Sequence, residues 1–163
     1  MEVVEKPSSW CRTLINVSMI VIFCIFVIGS SSTKKMVMIS ALMSAIWVVW
    51  YGYDYNSEDQ VLIGGRLNVM TCVIWTIGLV AMATFYMSLK NNDMPFPKRL
   101  WLTGVIWCLC IIGIEWIGYN LCNIRCKSNY PGLLGLKLMH GPWYLKFYYL
   151  TAWALFLTFL NVW

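Results

Sequence analysis

Charge is scarce in this sequence. Charged residues fill 12% of its 163 positions, where a water-soluble domain carries roughly 25%. Hydrophobic residues fill 60%, and mean hydropathy is +0.68. Too little polar surface is left to cover a globule in water, so the composition argues against a soluble fold. Histidine is almost missing: His140 stands alone. A zinc site would have to be built from thiolates almost throughout, and no metal or cofactor is expected. No P-loop, zincin motif, nucleophile elbow or dinucleotide fingerprint occurs. The basic residues outnumber the acids by 12 to 7, but they stand singly or in pairs. Lys34-Lys35 and Lys98-Arg99 are the densest groups, and no basic stripe suits nucleic acid. They read as loop charges beside lipid headgroups. Strand alternation of the outer-membrane type, inverted repeats and low-complexity tracts are also missing. The first apolar run lacks a small-x-small cleavage site after it and reads as a retained helix. Glu2, where Gly would be needed, rules out myristoylation.

Long apolar runs are what the sequence does have. Five of them cover approximately 13–29, 36–52, 67–89, 100–122 and 143–162. A helix needs about 20 such residues to cross a bilayer core, with a range of roughly 17–25. Lipid offers backbone groups no hydrogen-bond partners, so each run should close its own bonds as a helix. The expectation is an all-α, polytopic membrane bundle of about five transmembrane helices, with residues 1–163 as one domain. The cluster Trp47, Trp50, Tyr51, Tyr53 and Tyr55 marks a headgroup boundary. Pro95 and Pro97 end the third helix. With five spans, Lys6, Arg12, Arg66, Arg125, Lys127 and Lys137 share the N-terminal side, and Lys34, Lys35, Lys90, Lys98 and Arg99 the other. So even a split leans only slightly to an N-terminus inside.

The seven cysteines divide by context. Cys24, Cys72, Cys108 and Cys110 lie within apolar runs and read as small buried hydrophobes. Cys122 and Cys126 flank the end of the fourth run. They could form a disulfide or hold a metal, but unpaired thiols, dispensable for folding, are the expectation.

Glu115 and Lys146 are the charges inside the fourth and fifth runs. An ionisable group in hydrocarbon is costly enough to count as a functional-site hypothesis. At ~1.5 Å per residue, Glu115 lies ~22 Å into its helix and Lys146 ~6 Å into the next. On antiparallel neighbours these depths are comparable, which makes an ion pair between Glu115 and Lys146 one expectation. Snorkelling of Lys146 and a hydrogen-bonded, neutral Glu115 are the alternatives. Helical spacing puts Glu115 on one face with Ile111, Ile112, Gly118 and Tyr119. Gly118 would admit a close neighbour, and Tyr119 could hydrogen-bond the carboxylate. A carboxyl among aromatics can act as a general acid. Trp107, Trp116, Tyr130, Tyr144, Tyr148 and Tyr149 could line its pocket, or simply pack. The connection from 123 to 142 is partly apolar, as suits a re-entrant or surface-lying segment capping the bundle.

The order Glu115, Gly118, Tyr130, Leu134-Gly135, Lys137-Leu138, Pro142 resembles a segment of the membrane-integral carotenoid-biosynthesis family, which includes carotenoid hydratases. The resemblance covers 115–142 and implies a lipid-facing architecture with Glu115 and Tyr130 as candidate functional positions. The sequence departs from that family at Leu121-Cys122-Asn123-Ile124-Arg125-Cys126, where a Thr-Gly-x-Pro-x-Gly loop would stand, and the family's members are longer.

Three functions fit these features. The first is a structural or partner-binding helical bundle of a membrane assembly, its partner a membrane protein or a second copy. The second is a membrane-embedded enzyme acting on an isoprenoid or other lipid, with Glu115, Tyr119 and Tyr130 as catalytic candidates and Glu115 as general acid. The third is a channel or transporter subunit, for which the polar pathway is thin. The bilayer itself and an apolar lipid ligand are the other expected partners.

Overall fold

The computed structural model describes residues 9–51, 61–62, 67–122, 130–135 and 139–162. Among the described residues the chain is essentially all-α, with a short 3-10 turn at Leu133–Gly135 and five α-helices. They are α1 (Ser9–Ile28), α2 (Ser31–Tyr51), α3 (Val69–Asn91), α4 (Phe96–Asn120) and α5 (Trp143–Leu160). A two-residue antiparallel pairing, Val61↔Asn68 and Leu62↔Leu67, precedes α3. All five helices fall on the five apolar runs. Three stretches are long and apolar enough to cross a membrane: Ser31–Val49, Thr71–Asn91 and Phe96–Asn120. α1 holds a shorter apolar stretch, Asn16–Ile28.

Local chemistry sets the boundaries. Between α1 and α2 the chain reverses at Gly29. A Cβ there would lie 2.4 Å from the Ile25 carbonyl oxygen and 2.9 Å from Thr33 Cγ2, so only glycine fits. Ser30 then caps α2, its Oγ accepting from the Thr33 amide at 3.2 Å, as an N-cap serine does. α3 ends where the Met94 amide returns to the Leu89 carbonyl and Asp93 turns to φ 54°. Pro95 and a proline in the first turn then start α4, where a missing N–H costs nothing.

α3 is the hub, packing against each of the other four helices and most extensively against α2. Small groups allow that closeness. Ser40 and Ser44 of α2 are fully buried, each hydroxyl bonded within its own helix to the carbonyls of Val37 and Ser40. On α3 the buried stripe is Thr71, Trp75, Thr76, Leu79, Met82, Ala83 and Tyr86. On α5 it is Leu145, Tyr148, Tyr149, Ala152, Phe156, Leu157 and Leu160. Both repeat every three or four residues, as one face of a helix must.

Aromatic rings fill the space between the stripes. Trp47 stacks on Tyr148 with ring centres 3.6 Å apart. Trp75 lies 5.0 Å from the rings of both Tyr148 and Tyr149 and 6.0 Å from Trp107. The Trp107 indole donates to the Tyr149 carbonyl at 2.5 Å, binding α4 to α5. Exposed apolar side chains cover the outside: Phe23 and Ile28 on α1, Leu42 on α2, Trp101 and Leu109 on α4, Trp143 and Phe147 on α5.

Three sequence readings need correction here. Cys122 pairs with Cys11, 111 residues away in sequence. Cys122 is therefore not the unpaired thiol expected, and Cys126 lies outside the described residues. A partner so far away leaves no spacing signature. Cys24 and Cys110 are exposed, and Cys72 and Cys108 only half-buried, because the apolar runs present apolar faces outward as well as inward. Arg99 is buried, its guanidinium over the ring of Tyr86 at 4.8 Å and near Phe96 at 5.6 Å. Its Nη1 donates to the Met94 carbonyl at 3.4 Å, so it is a packed cation and not a loop charge.

Since α1 buries little else among its described residues than Cys11, the disulfide is its main attachment at that end. Cys11→Ser and Cys122→Ser are each expected to lower stability by about 2–5 kcal/mol, the usual cost of a lost native disulfide. Thermal unfolding in mild detergent, with and without reductant, measures this. Unchanged melting in either variant would contradict it.

Candidate ligand site

The fourth helix carries its carboxylate near one end. Glu115 stands five residues before Asn120, the last residue of α4, which at ~1.5 Å per residue is ~7 Å from the helix terminus. It is half-buried and lines a cleft of about 470 Å³ between α1, α3, α4 and α5. The walls are Ile74, Trp75, Ile77, Gly78, Ala81 and Met82 from α3 and Trp107, Cys110, Ile111, Ile114, Gly118 and Tyr119 from α4. Tyr149 of α5, Thr71 of α3 and Ser18 of α1 complete it. Its volume falls in the ~300–1,000 Å³ range of small-molecule sites, which are mostly apolar with a few placed polar groups.

The polar groups gather at one end. Gly78 lies against Trp107, a Cβ on it standing 3.7 Å from the Trp107 ring. From that contact, equal steps along the antiparallel pair lead to Thr71 on α3 and to Ile114–Glu115 on α4. Tyr119 follows one turn later. Toward the other end the lining is Ala81, Met82 and the Trp107 ring. Tyr149 connects the two regions. Its backbone carbonyl accepts from the Trp107 indole, while its side chain hydrogen-bonds Glu115. The phenol O–H is the donor to the carboxylate. Ser18 Oγ is turned to its own helix, donating to the Leu14 carbonyl at 2.8 Å.

The sequence-derived face is mostly present. Ile111, Gly118 and Tyr119 line the cleft with Glu115, whereas Ile112 packs against the core. Gly118 has nothing within 4 Å of where its Cβ would be, so it leaves open space in the cleft. No helix packs closely there. Tyr119 stacks on His140, rings 4.0 Å apart and nearly parallel at 9°. This ties the end of α4 to the connection before α5.

The ion pair is not formed. Lys146 Nζ donates to the Pro131 carbonyl at 2.9 Å, and Glu115 meets Tyr149 instead. Comparable depth does not fix the side of the helix from which each charge projects. Lys146 and Tyr149 are three residues apart on α5, and it is Tyr149 that faces α4. Lys146 thus holds the connection, whose Met139 is buried in the core. That arrangement agrees with a segment capping the bundle, though residues 123–129 and 136–138 of it lie outside the described residues. Tyr130 is half-buried in this connection and does not line the cleft. Of the remaining aromatics, Trp116 is exposed, Tyr144 meets Trp143 edge-on and Tyr148 packs in the core.

Ser18, Thr71, Trp75 and Met82 were not foreseen. They come from helices distant in sequence, and α3 is apolar on every face, so periodicity could not tell which of its sides lines a cavity. Trp75, an aromatic ring well inside the third run, was the available signal. Among the described residues, no group of three or more His, Cys, Asp or Glu lies close enough to hold a metal. Comparison with protein-family models, curated proteins and solved structures returns no match for this chain.

The hydrogen bond gives a coupling test. Glu115→Gln and Lys146→Met should act additively within ~0.5 kcal/mol, as groups without a shared partner do. Glu115→Gln and Tyr149→Phe should couple by more than that. Double-mutant cycles of unfolding in detergent read both. Strong coupling between 115 and 146 would restore the ion pair.

Proposed function

We propose that this chain is a multi-pass membrane protein that binds an apolar, lipid-like small molecule in the cleft between α1, α3, α4 and α5. The cleft itself carries the reading: about 470 Å³ lined almost throughout by aliphatic and aromatic side chains, with its polar groups at one end. Exposed apolar side chains over the surfaces of α1, α2, α4 and α5 and three helices of spanning length and composition support the membrane setting. Large apolar patches of this kind are otherwise the mark of interaction sites.

Catalysis on such a molecule, with Glu115 as general acid and Tyr119 beside it, is the enzymatic form of the same reading, because a substrate would occupy the same cleft. Tyr130 has no part in it. An assembly role is the second reading. The observation that favours it is α1, whose Trp10, Leu14, Val17 and Val21 stand exposed, leaving a face that a membrane-protein partner or a second copy could cover.

Two measurements test this. Protein extracted with its surrounding lipid and examined by native mass spectrometry should carry a stoichiometric apolar molecule. Ala81→Trp, which fills the cleft from an exposed position, should lose it. A stoichiometric protein partner with no bound small molecule would favour the assembly role instead. For the membrane topology, single cysteines at Ser32 and Asn92 should label from one side of sealed vesicles and those at Ser57 and Tyr130 from the other. The background keeps the Cys11–Cys122 pair and removes the other cysteines. Same-side labelling of Ser32 and Ser57 would overturn the multi-pass arrangement.

A further inference from the structure

Resting on the cleft as a ligand site, we infer that its occupant is a single-chain amphiphile with a protonated amine head, held by Glu115, and an apolar tail directed along α3 toward Met82. Glu115 is the one ionisable carboxylate in the lining, and no Lys, Arg or His lines the cleft among the described residues. Its hydrogen bond comes from Tyr149, and a carboxylate has acceptor sites for about four donors. The protein therefore supplies a carboxyl group with unused acceptor capacity and no basic side chain among the described lining residues. A charge in such surroundings is costly unless paired. An ammonium head would supply the pairing through charge-assisted hydrogen bonds.

The walls favour the same chemistry. Trp75, Tyr119 and Tyr149 surround the Glu115 end, and aromatic faces attract a desolvated cation. Length and polarity then order the ligand. From Thr71 to Met82 the lining of α3 runs eleven residues, ~16 Å at ~1.5 Å per residue. Polar groups lie at the end near the helix termini, and only apolar ones lie at the end nearer mid-helix. An amphiphile lying in a bilayer has this polarity, with its head at the interface and its tail inward. A phospholipid fits less well, since its phosphate would lie against Glu115 with no basic side chain in the lining to receive it.

The test uses the full chain in phosphatidylcholine nanodiscs and a long-chain primary amine bearing a photoreactive diazirine. Saturable labelling of α3 and α4 should be displaced by dodecylamine at concentrations about tenfold below those needed for dodecanol, a difference of ~1.4 kcal/mol. Both are corrected for partition into empty nanodiscs, and dodecanoate should be the weakest. Glu115→Gln should abolish the preference of amine over alcohol. Equal displacement by dodecanol, or a preference that survives in Glu115→Gln, would overturn the amine inference and leave the cleft as a plain apolar site. No saturable labelling with the diazirine amine or with the matching diazirine alcohol would overturn the inference together with the cleft reading. Should Glu115→Gln not be recovered folded, the ranking on the unaltered chain decides alone.

Discussion

One hydrogen bond, from the Trp107 indole to the Tyr149 carbonyl, meets the constraint on which the packing of α3, α4 and α5 depends: a polar group enclosed among apolar helices is costly unless it finds a partner there. Trp107 is almost completely buried, far from a water that could accept from its ring. Taking the carbonyl of Tyr149 fixes the height of α5 against α4 and turns the Tyr149 side chain toward Glu115. The same ring supports Trp75 and lies against Gly78 of α3. Three helices are thereby positioned around one buried donor. Ser40, Ser44, Thr76 and Thr103 obey the rule differently, turning their hydroxyls back onto their own helices, which leaves their outer surfaces free for close packing.

The cleft follows from how unevenly that rule is met. Where large rings interlock, around Trp47, Trp75 and Tyr148, the bundle is filled. Along the cleft α4 and α3 contribute the small residues Gly118, Gly78 and Ala81 to the lining, and space remains. Glu115 thus belongs to the hydrogen-bonded framework through Tyr149 while its remaining acceptor capacity faces a cavity. A carboxylate needed only for packing would have its lone pairs occupied on all sides. Here one side is held and the other is presented.

Element existence was legible in the sequence because lipid-length apolar runs leave few alternatives to a helix. Helix starts were less legible: α1 begins at Ser9 and α4 at Phe96, earlier than their apolar runs, because capping and proline geometry set the ends while hydrophobicity does not. Glu115, Gly118 and Tyr119 were found because they share one helix face. Trp107 and Tyr149 were among the aromatics named for the pocket and line it, but the lining residues of α3 were not, since which of them meet that face depends on helix rotation. In helices that are apolar on every side, such as α3, the sequence carries almost no record of rotation. That gap accounts for pairing Glu115 with Lys146 in place of Tyr149, and for missing Thr71 and Trp75.

The Cys11–Cys122 bond bears on sidedness. It joins the start of α1 to the end of α4, so both sulfurs belong to one end of the bundle, with the starts of α3 and α5. Cystines persist in oxidising surroundings and are reduced in a cytosol. In a bilayer, that end would face the lumen or the exterior. The short turns carrying Lys34, Lys35, Lys90, Lys98 and Arg99 would then face the cytosol, where positive residues close to spans are retained. Counting leaves the basic residues almost evenly divided, and in a bilayer the redox argument would weigh toward an N-terminus outside. The polar mouth of the cleft, beside Glu115 and Tyr119, would open toward the outer leaflet.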